Sequence, residues 1–205
     1  MSAKRTRRVA ANARVARVAY LLSGSVRGAA EVMDRVHRAQ PRLEIITPEH
    51  LDRLVVFHAR EWASAARRRK TMPGHASSHA ASEPDAAREC HQAALAMDRQ
   101  HAEAWLFRHI DEMDDAQISR AMDSSKIATQ RHLDAAEVVM HSSLGERLLS
   151  TTSVLRQHIH DLKTEAFDVE RREIRRARRR RLGTLLVTVG AAVLVVAIVV
   201  WTVVF

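Results

Sequence analysis

The sequence is poor in cysteine, proline and glycine, and each shortage excludes a class of protein. A single cysteine, Cys90, rules out an internal disulfide and is typical of a reducing compartment. Only four prolines and six glycines occur in 205 residues, and no run of alternating β-branched residues precedes position 182. This pattern favours long helices over sheets. We therefore expect an all-α protein.

Motifs for enzymatic chemistry are also missing. There is no glycine-rich phosphate loop, no paired-carboxylate constellation and no second cysteine at metal-ligand spacing. Cys90 has no catalytic motif around it, which indicates an inert helix cysteine. We predict no enzyme, no catalytic residue, no metal site and no cofactor.

The positive charge is concentrated in one place. The net charge is +9, and the run RREIRRARRRR (171–181), with eight arginines and one glutamate, supplies +7 of it. The rest of the chain is only +2 by this arithmetic, so any DNA-binding surface must come from local patches. A basic run directly before an apolar segment is primarily a signal of membrane topology.

The last 24 residues, 182–205, carry no charged side chain. As a helix this segment would extend roughly 36 Å, enough to cross a hydrocarbon core of about 30 Å. Trp201 lies near its far end, where indole rings favour the interface. We predict a transmembrane tail anchor with the basic run on the cytoplasmic side; a buried core helix is the alternative. The apolar residues that follow the basic N-terminus are interrupted by Arg14 and Arg17, which breaks the hydrophobic region that a signal peptide needs. We therefore expect a first domain helix there, with a mitochondrial presequence as the alternative.

A change of composition divides the part of the chain before residue 182. Residues 71–85 are rich in Ser, Pro and Gly and lack periodic apolar residues, which predicts a flexible linker. It separates one helical unit (5–70) from a second (86–141). A helical stalk that includes the basic run follows (142–181). Helix ends are predicted at Ser23–Ser25 and Pro41, and a new helix begins after Thr47.

The stretch DDAQISRAMDSSKIATQRHLDAA (114–136) has the pattern of a helix-turn-helix. Two short apolar stripes flank a DSS turn in which a serine can cap the second helix. We expect Ile127, Leu133 and Ala136 to face inward and the polar residues to face outward. Outward Lys, Gln and Arg side chains can bind phosphates and base edges, although they are also ordinary on a solvated helix. The residues expected outward are Lys126, Thr129, Gln130 and Arg131.

Three segments together resemble bacterial RNA polymerase sigma factors of the extracytoplasmic-function type. AYLLSGSVRGAAEVMDRVHRA and LDRLVVFHAREWASAARRRK are similar to that family's region 2, and AEAWLFRHIDEMDDAQISRAMDSSKIATQRHLDAA is similar to its region 4. The resemblance covers roughly 10–140, and the linker lies where the family has one. Departures include Ala30 in place of an acid, Glu61 in place of Asn and Asp123 in place of the turn Gly. Asp34 retains a carboxylate.

The resemblance implies a region 2-like bundle and a region 4-like helix-turn-helix domain, with roles for named residues. RNA polymerase core would bind Asp34, Arg35 and Arg38. Promoter DNA would be bound at its −10 region by Arg60 and 67–70, although such a run is also typical of a solvated helix end. The −10 set in full is Arg60, Arg67, Arg68, Arg69 and Lys70; the −35 set is Lys126, Thr129, Gln130, Arg131 and His132.

A heptad pattern lies between the helix-turn-helix and the basic run. Leu148, Leu155, Leu162 and Val169 are seven residues apart within 145–169. Such spacing is compatible with a long helix that pairs two copies of the chain, or with a helix that packs back on its own domain. Both interpretations stay open at this point.

These observations support three hypotheses. The first is a sigma-factor-like transcription regulator anchored by a single span in the bacterial inner membrane, with cytoplasmic N-terminal domains. It would bind polymerase core and promoter DNA, with an anti-sigma or signalling protein as a further candidate partner and proteolytic release as a candidate control. The second is an anchored helix-turn-helix regulator that does not bind polymerase. The third is a tail-anchored helical interaction protein on a decayed sigma scaffold.

Overall fold

The computed structural model describes residues 3–68 and 83–180. Within these two ranges all regular secondary structure is helical, which confirms the predicted all-α class. No helix in these ranges is long and apolar enough to cross a membrane. The predicted membrane segment (182–205) and most of the predicted linker (71–82) lie outside the described residues.

Three helices form the first half of the chain, and their ends follow local signals. Gly24 adopts a left-handed conformation (φ +68°) after the first helix, and the Ser25 side chain accepts the Gly28 N–H at 3.0 Å to begin the second. The Thr47 hydroxyl accepts the His50 N–H at 3.4 Å at the start of the third. The predicted breaks are confirmed. These helices are α1 (Ala3–Ser23), α2 (Val26–Ala39) and α3 (Pro48–Arg68).

Within residues 83–180 the structure has five further α-helices and a C-terminal helix. α6 and α7 are the two halves of the predicted helix-turn-helix. Residues 165–180 are helical as well, and we call them the C-terminal helix. The five are α4 (Asp85–Ala96), α5 (Arg99–His109), α6 (Asp115–Met122), α7 (Lys126–Leu144) and α8 (Leu148–His160).

One continuous cluster of buried apolar side chains includes residues from both sides of the linker. Its largest fully buried members include Tyr20 of α1, Trp105 and Phe107 of α5, and Phe167 of the C-terminal helix. Burial of each such ring stabilises the fold by about 1.5–3 kcal/mol relative to its exposure. The C-terminal helix is therefore part of the core. The domain boundaries at 5–70 and 86–141 stay a prediction.

The long helix expected over 142–181 is interrupted twice, so that part of the prediction is wrong. α7 ends at Gly145, whose positive φ (+53°) closes the helix, and α8 ends at His160. The apolar side of α8, which includes Leu155 and Ile159, is buried and packs mainly on α4. Of the two interpretations of the heptad pattern, α8 follows the one in which the helix packs on its own domain. A homodimer through 145–169 stays a prediction.

A partly buried arginine joins the two halves of the chain. Arg14 of α1 donates to both carboxylate oxygens of Asp52 in α3, at 2.8 and 3.0 Å, and to Asp111 beyond α5 at 2.6 Å. Burial raises the pKa of Asp52 even though Arg14 opposes the shift. Arg14, Asp52 and Asp111 thus hold α1, α3 and the end of α5 around one guanidinium group.

Candidate functional site

The helix-turn-helix is built by local caps on α6 and α7. Asp114 and Gln117 form a reciprocal capping box at the start of α6, with two hydrogen bonds of 2.8 Å. α6 ends at Asp123, which takes the left-handed conformation (φ +56°, ψ +48°). Ser125 then accepts the Ala128 N–H at 3.2 Å to begin α7. The predicted serine cap is confirmed, and so is Asp123 as a residue that tolerates the left-handed turn.

Two residues of α7 occupy the opposite environments to those predicted. Thr129 is fully buried, whereas Ile127 is 70% exposed. The Thr129 hydroxyl is hydrogen-bonded to the hydroxyls of Ser119 (3.1 Å) and Ser124 (2.7 Å), which ties α7 to α6 and the turn. Thr129 also precedes Leu133 by four residues, as helical spacing requires for one buried stripe. The predicted outward orientation of Thr129 and inward orientation of Ile127 are therefore wrong.

The remaining predicted −35 residues lie on the outer side of α7. Lys126, Gln130 and Arg131 are exposed, and His132 is half-buried with its ring 5.2 Å from that of His101. Burial, followed by the neighbouring His101, lowers the pKa of His132. The outer surface therefore carries two cations and an amide within six residues.

Arg60, a predicted −10 residue, is held between α3 and α5. Its guanidinium donates to both oxygens of the Glu103 carboxylate, at distances between 2.5 and 3.1 Å, and Arg99 donates to the same carboxylate at 2.9 Å. Glu103 is completely buried. Burial is the largest single effect on Arg60 and disfavours its charge, but hydrogen bonding and charge attraction to Glu103, together with the charge of Asp123, outweigh it and raise the pKa of Arg60. The guanidinium of Arg60 is thus bonded inside the fold to Glu103.

The rest of the predicted −10 set lies at or beyond the end of α3. Arg67 and Arg68 are exposed in its last turn. Arg69 and Lys70 lie outside the described residues. Glu61, on the same helix, accepts a hydrogen bond from His58 at 2.9 Å and lies 3.8 Å from Arg35.

The predicted polymerase-binding residues come together on α2. Asp34 is only 5% exposed and is bonded to Arg38, one turn later in α2, at 3.1 Å. Arg175 of the C-terminal helix donates to the other oxygen of Asp34 at 2.9 Å, and Arg178 approaches to 4.0 Å. Arg35 is half-buried beside Glu61. We call Asp34, Arg35 and Arg38 the α2 surface.

Two pairings were missed from the sequence. Glu103 carries a weak signal, because Arg99 precedes it by four residues and such pairs meet on a helix. Its contact with Arg60, 43 residues away, has no sequence signal. The basic run indicated membrane topology only, and nothing in the sequence pairs Arg175 with Asp34, 141 residues earlier.

His, Cys, Asp and Glu side chains are the groups of the described ranges from which a metal site or a reactive thiol would be built. Among residues 3–68 and 83–180 no group of three or more His, Cys, Asp or Glu side chains is placed to hold a metal ion. Cys90 is buried beside Thr152, and burial raises the pKa of its thiol. Its reactive thiolate form is correspondingly disfavoured.

The chain matches no family model, and it has no significant match among curated proteins or solved structures.

Proposed function

We propose that this chain is a membrane-tethered, sigma-factor-like transcription regulator. It binds promoter DNA through the outer side of α7 and RNA polymerase core through the α2 surface. Residues 182–205 anchor it in the bacterial inner membrane with the described helices on the cytoplasmic side. Its mechanism is binding and positioning, with no chemical step.

The observation that carries this proposal is the geometry of α6, the turn and α7. A capped eight-residue helix, a left-handed turn at Asp123 and a second capped helix form a compact pair. The buried stripe that begins at Thr129 leaves Lys126, Gln130 and Arg131 together on the outside. In this arrangement α7 enters the major groove. Lys126 and Arg131 bind phosphates, while the amide of Gln130 reads a base edge.

DNA binding by this surface is tested with the full-length chain in nanodiscs of neutral lipid. We expect Lys126→Glu combined with Arg131→Glu to weaken binding to a duplex selected from a random pool by tenfold or more. The salt dependence of binding should become less steep, by about one unit of slope for each phosphate contact removed. Gln130→Ala should instead relax sequence preference.

The matched control is Lys163→Glu combined with Arg172→Glu, which makes the same change of charge at two exposed positions outside α7. It should leave DNA affinity unchanged. Equal weakening by the control and by the α7 variants would reduce the effect to net charge and remove α7 as the DNA-binding element.

A second candidate function is an anchored helix-turn-helix regulator that does not bind polymerase. The observation that favours it is the engagement of Asp34 by Arg175, which leaves the α2 surface without a free carboxylate. Retention of the full-length chain on core RNA polymerase, lost in Arg35→Glu, separates the two candidates. DNA binding without retention under any condition supports the second. If the chain binds neither DNA nor polymerase, the third hypothesis, a tail-anchored helical interaction protein, is supported.

A further inference from the structure

The first half of the C-terminal helix lies against α1 and α2. Phe167 is fully buried, with its ring centre 5.9 Å from that of Tyr20 in α1 and the two rings nearly edge to face. Four residues later Arg171 is 9% exposed and paired with Asp168 at 3.3 Å. An aromatic anchor of this kind fixes the helix in place. The next turns of the helix consequently have a defined position over α2.

Those next turns place their arginines on Asp34. Arg175 lies four residues beyond Arg171, and its guanidinium bonds directly to the Asp34 carboxylate. Arg178 lies one turn further and approaches the second oxygen. A nearly buried carboxylate requires compensating charge, and here its own helix supplies one cation while the C-terminal helix supplies two. The α2 surface is therefore completed electrostatically by residues from the far end of the chain.

We propose that the C-terminal helix is an intramolecular latch that blocks docking on the α2 surface. This inference rests on the proposed function, in which that surface binds polymerase core. A cation of the polymerase cannot reach Asp34 while Arg175 and Arg178 occupy it. Docking therefore requires the C-terminal helix to be displaced, and the apparent affinity falls in proportion to the fraction of molecules that are open.

Arg60 is a second predicted site residue that is engaged within the fold. Its hydrogen bonds to both Glu103 oxygens join α3 to α5, so this predicted DNA-contacting side chain is held inside the fold. The latch and this contact lie on different elements and involve different carboxylates. The closed structure thus withholds one predicted polymerase contact and one predicted promoter contact at the same time.

The test compares two charge-reversal pairs on the same helix of the full-length chain in nanodiscs. The latch variant is Arg175→Glu with Arg178→Glu. The control is Arg172→Glu with Arg179→Glu, which makes the same change of charge at exposed positions. Hydrogen–deuterium exchange of α2 and of 165–180 is measured together with the affinity for bacterial core RNA polymerase.

We expect the latch variant alone to exchange faster in both segments and to bind polymerase at least about tenfold more tightly, because the open fraction rises. Unchanged exchange would overturn the latch, whatever the polymerase result. Faster exchange with polymerase affinity equal to that of the wild type would overturn its blocking role.

Faster exchange with no polymerase binding by any variant would leave the latch standing as a cover for α2. That outcome would overturn the polymerase half of the proposed function instead. If the Glu pair unfolds the chain, Arg175→Gln with Arg178→Gln removes the two contacts without adding negative charge, and the same outcomes apply.

Discussion

At the scale of single residues, Glu103 is the side chain on which the junction between α3 and α5 depends. It is completely buried, and two arginines from two helices surround its carboxylate. Removal of one member of a buried ion pair leaves uncompensated charge, which is usually more destabilising than the pair is stabilising. The arginines left behind here are partly exposed, which reduces the penalty.

We therefore expect Glu103→Gln to lower the free energy of unfolding by about 3 kcal/mol, near the lower end of the range for a broken buried pair. Urea unfolding followed by circular dichroism measures the change. Glu146→Gln, at an exposed position after α7, is the matched control and should be neutral. A loss below about 0.5 kcal/mol in Glu103→Gln, as for an exposed pair, would contradict the burial argument.

At the scale of elements, the start of α7 depends on a single hydroxyl. Ser125 caps the helix through the Ala128 N–H, and the turn before it is held by Ser124 and Asp123. The first turn of α7 also carries Lys126. The cap consequently affects both the stability of the helix and the position of the proposed DNA-binding surface.

Ser125→Ala should destabilise the fold by about 1 kcal/mol, the typical effect of losing an N-cap hydroxyl. It should also weaken DNA binding, because the first turn of α7 frays. Thermal unfolding and DNA affinity are measured on the same preparation. Ser142→Ala, at an exposed position within α7, makes the same chemical change away from the cap. If the two variants behave alike, the cap has no special role.

At the scale of the whole molecule, arginines of the C-terminal helix and of α1 lie near a histidine of α2. His37 of α2 lies near Arg171 and Arg175 of the C-terminal helix and near Arg8 of α1, with Asp168 as the opposing charge. Its Nε2 is buried and makes no hydrogen bond to any residue in 3–68 or 83–180. Burial, followed by these arginines, lowers the pKa of His37 from 6.5 to about 4. The folded state therefore favours neutral His37.

The pKa of His37 is lower in the folded state than in the unfolded state. Neutral His37 therefore makes its full contribution to the free energy of unfolding above pH 6.5, and this contribution is lost as the pH falls towards 4. We expect the melting temperature of the wild type to fall more steeply over this window than that of His37→Gln. His50→Gln, an exposed histidine at the start of α3, should follow the wild type. Parallel curves for wild type and His37→Gln would contradict a lowered pKa of His37, whether its cause is burial or the arginines.

The sequence predicted where helices begin and end better than it predicted which of their side chains are buried. Capping residues and breakers act on the chain within four residues of themselves, so the ends of α1 and α2, the start of α3 and the turn at Asp123 followed from local patterns. The inward side of α7 was misjudged, because Ile127 is more apolar than Thr129. The structure buries Thr129 instead, since its hydroxyl finds partners in Ser119 and Ser124. Polarity alone does not reveal such partners.

By itself, the sequence determined the all-α class, the two capped helices on either side of Asp123 and the concentration of charge in residues 171–181, because propensity, capping and charge are properties of neighbouring residues. Only the tertiary structure decided which distant side chains meet. Arg175 on Asp34 and Arg60 on Glu103 join residues 141 and 43 positions apart. Charge alone would allow each arginine to pair with any of many carboxylates. The partner is selected by the packing of helices, such as the C-terminal helix that Phe167 anchors.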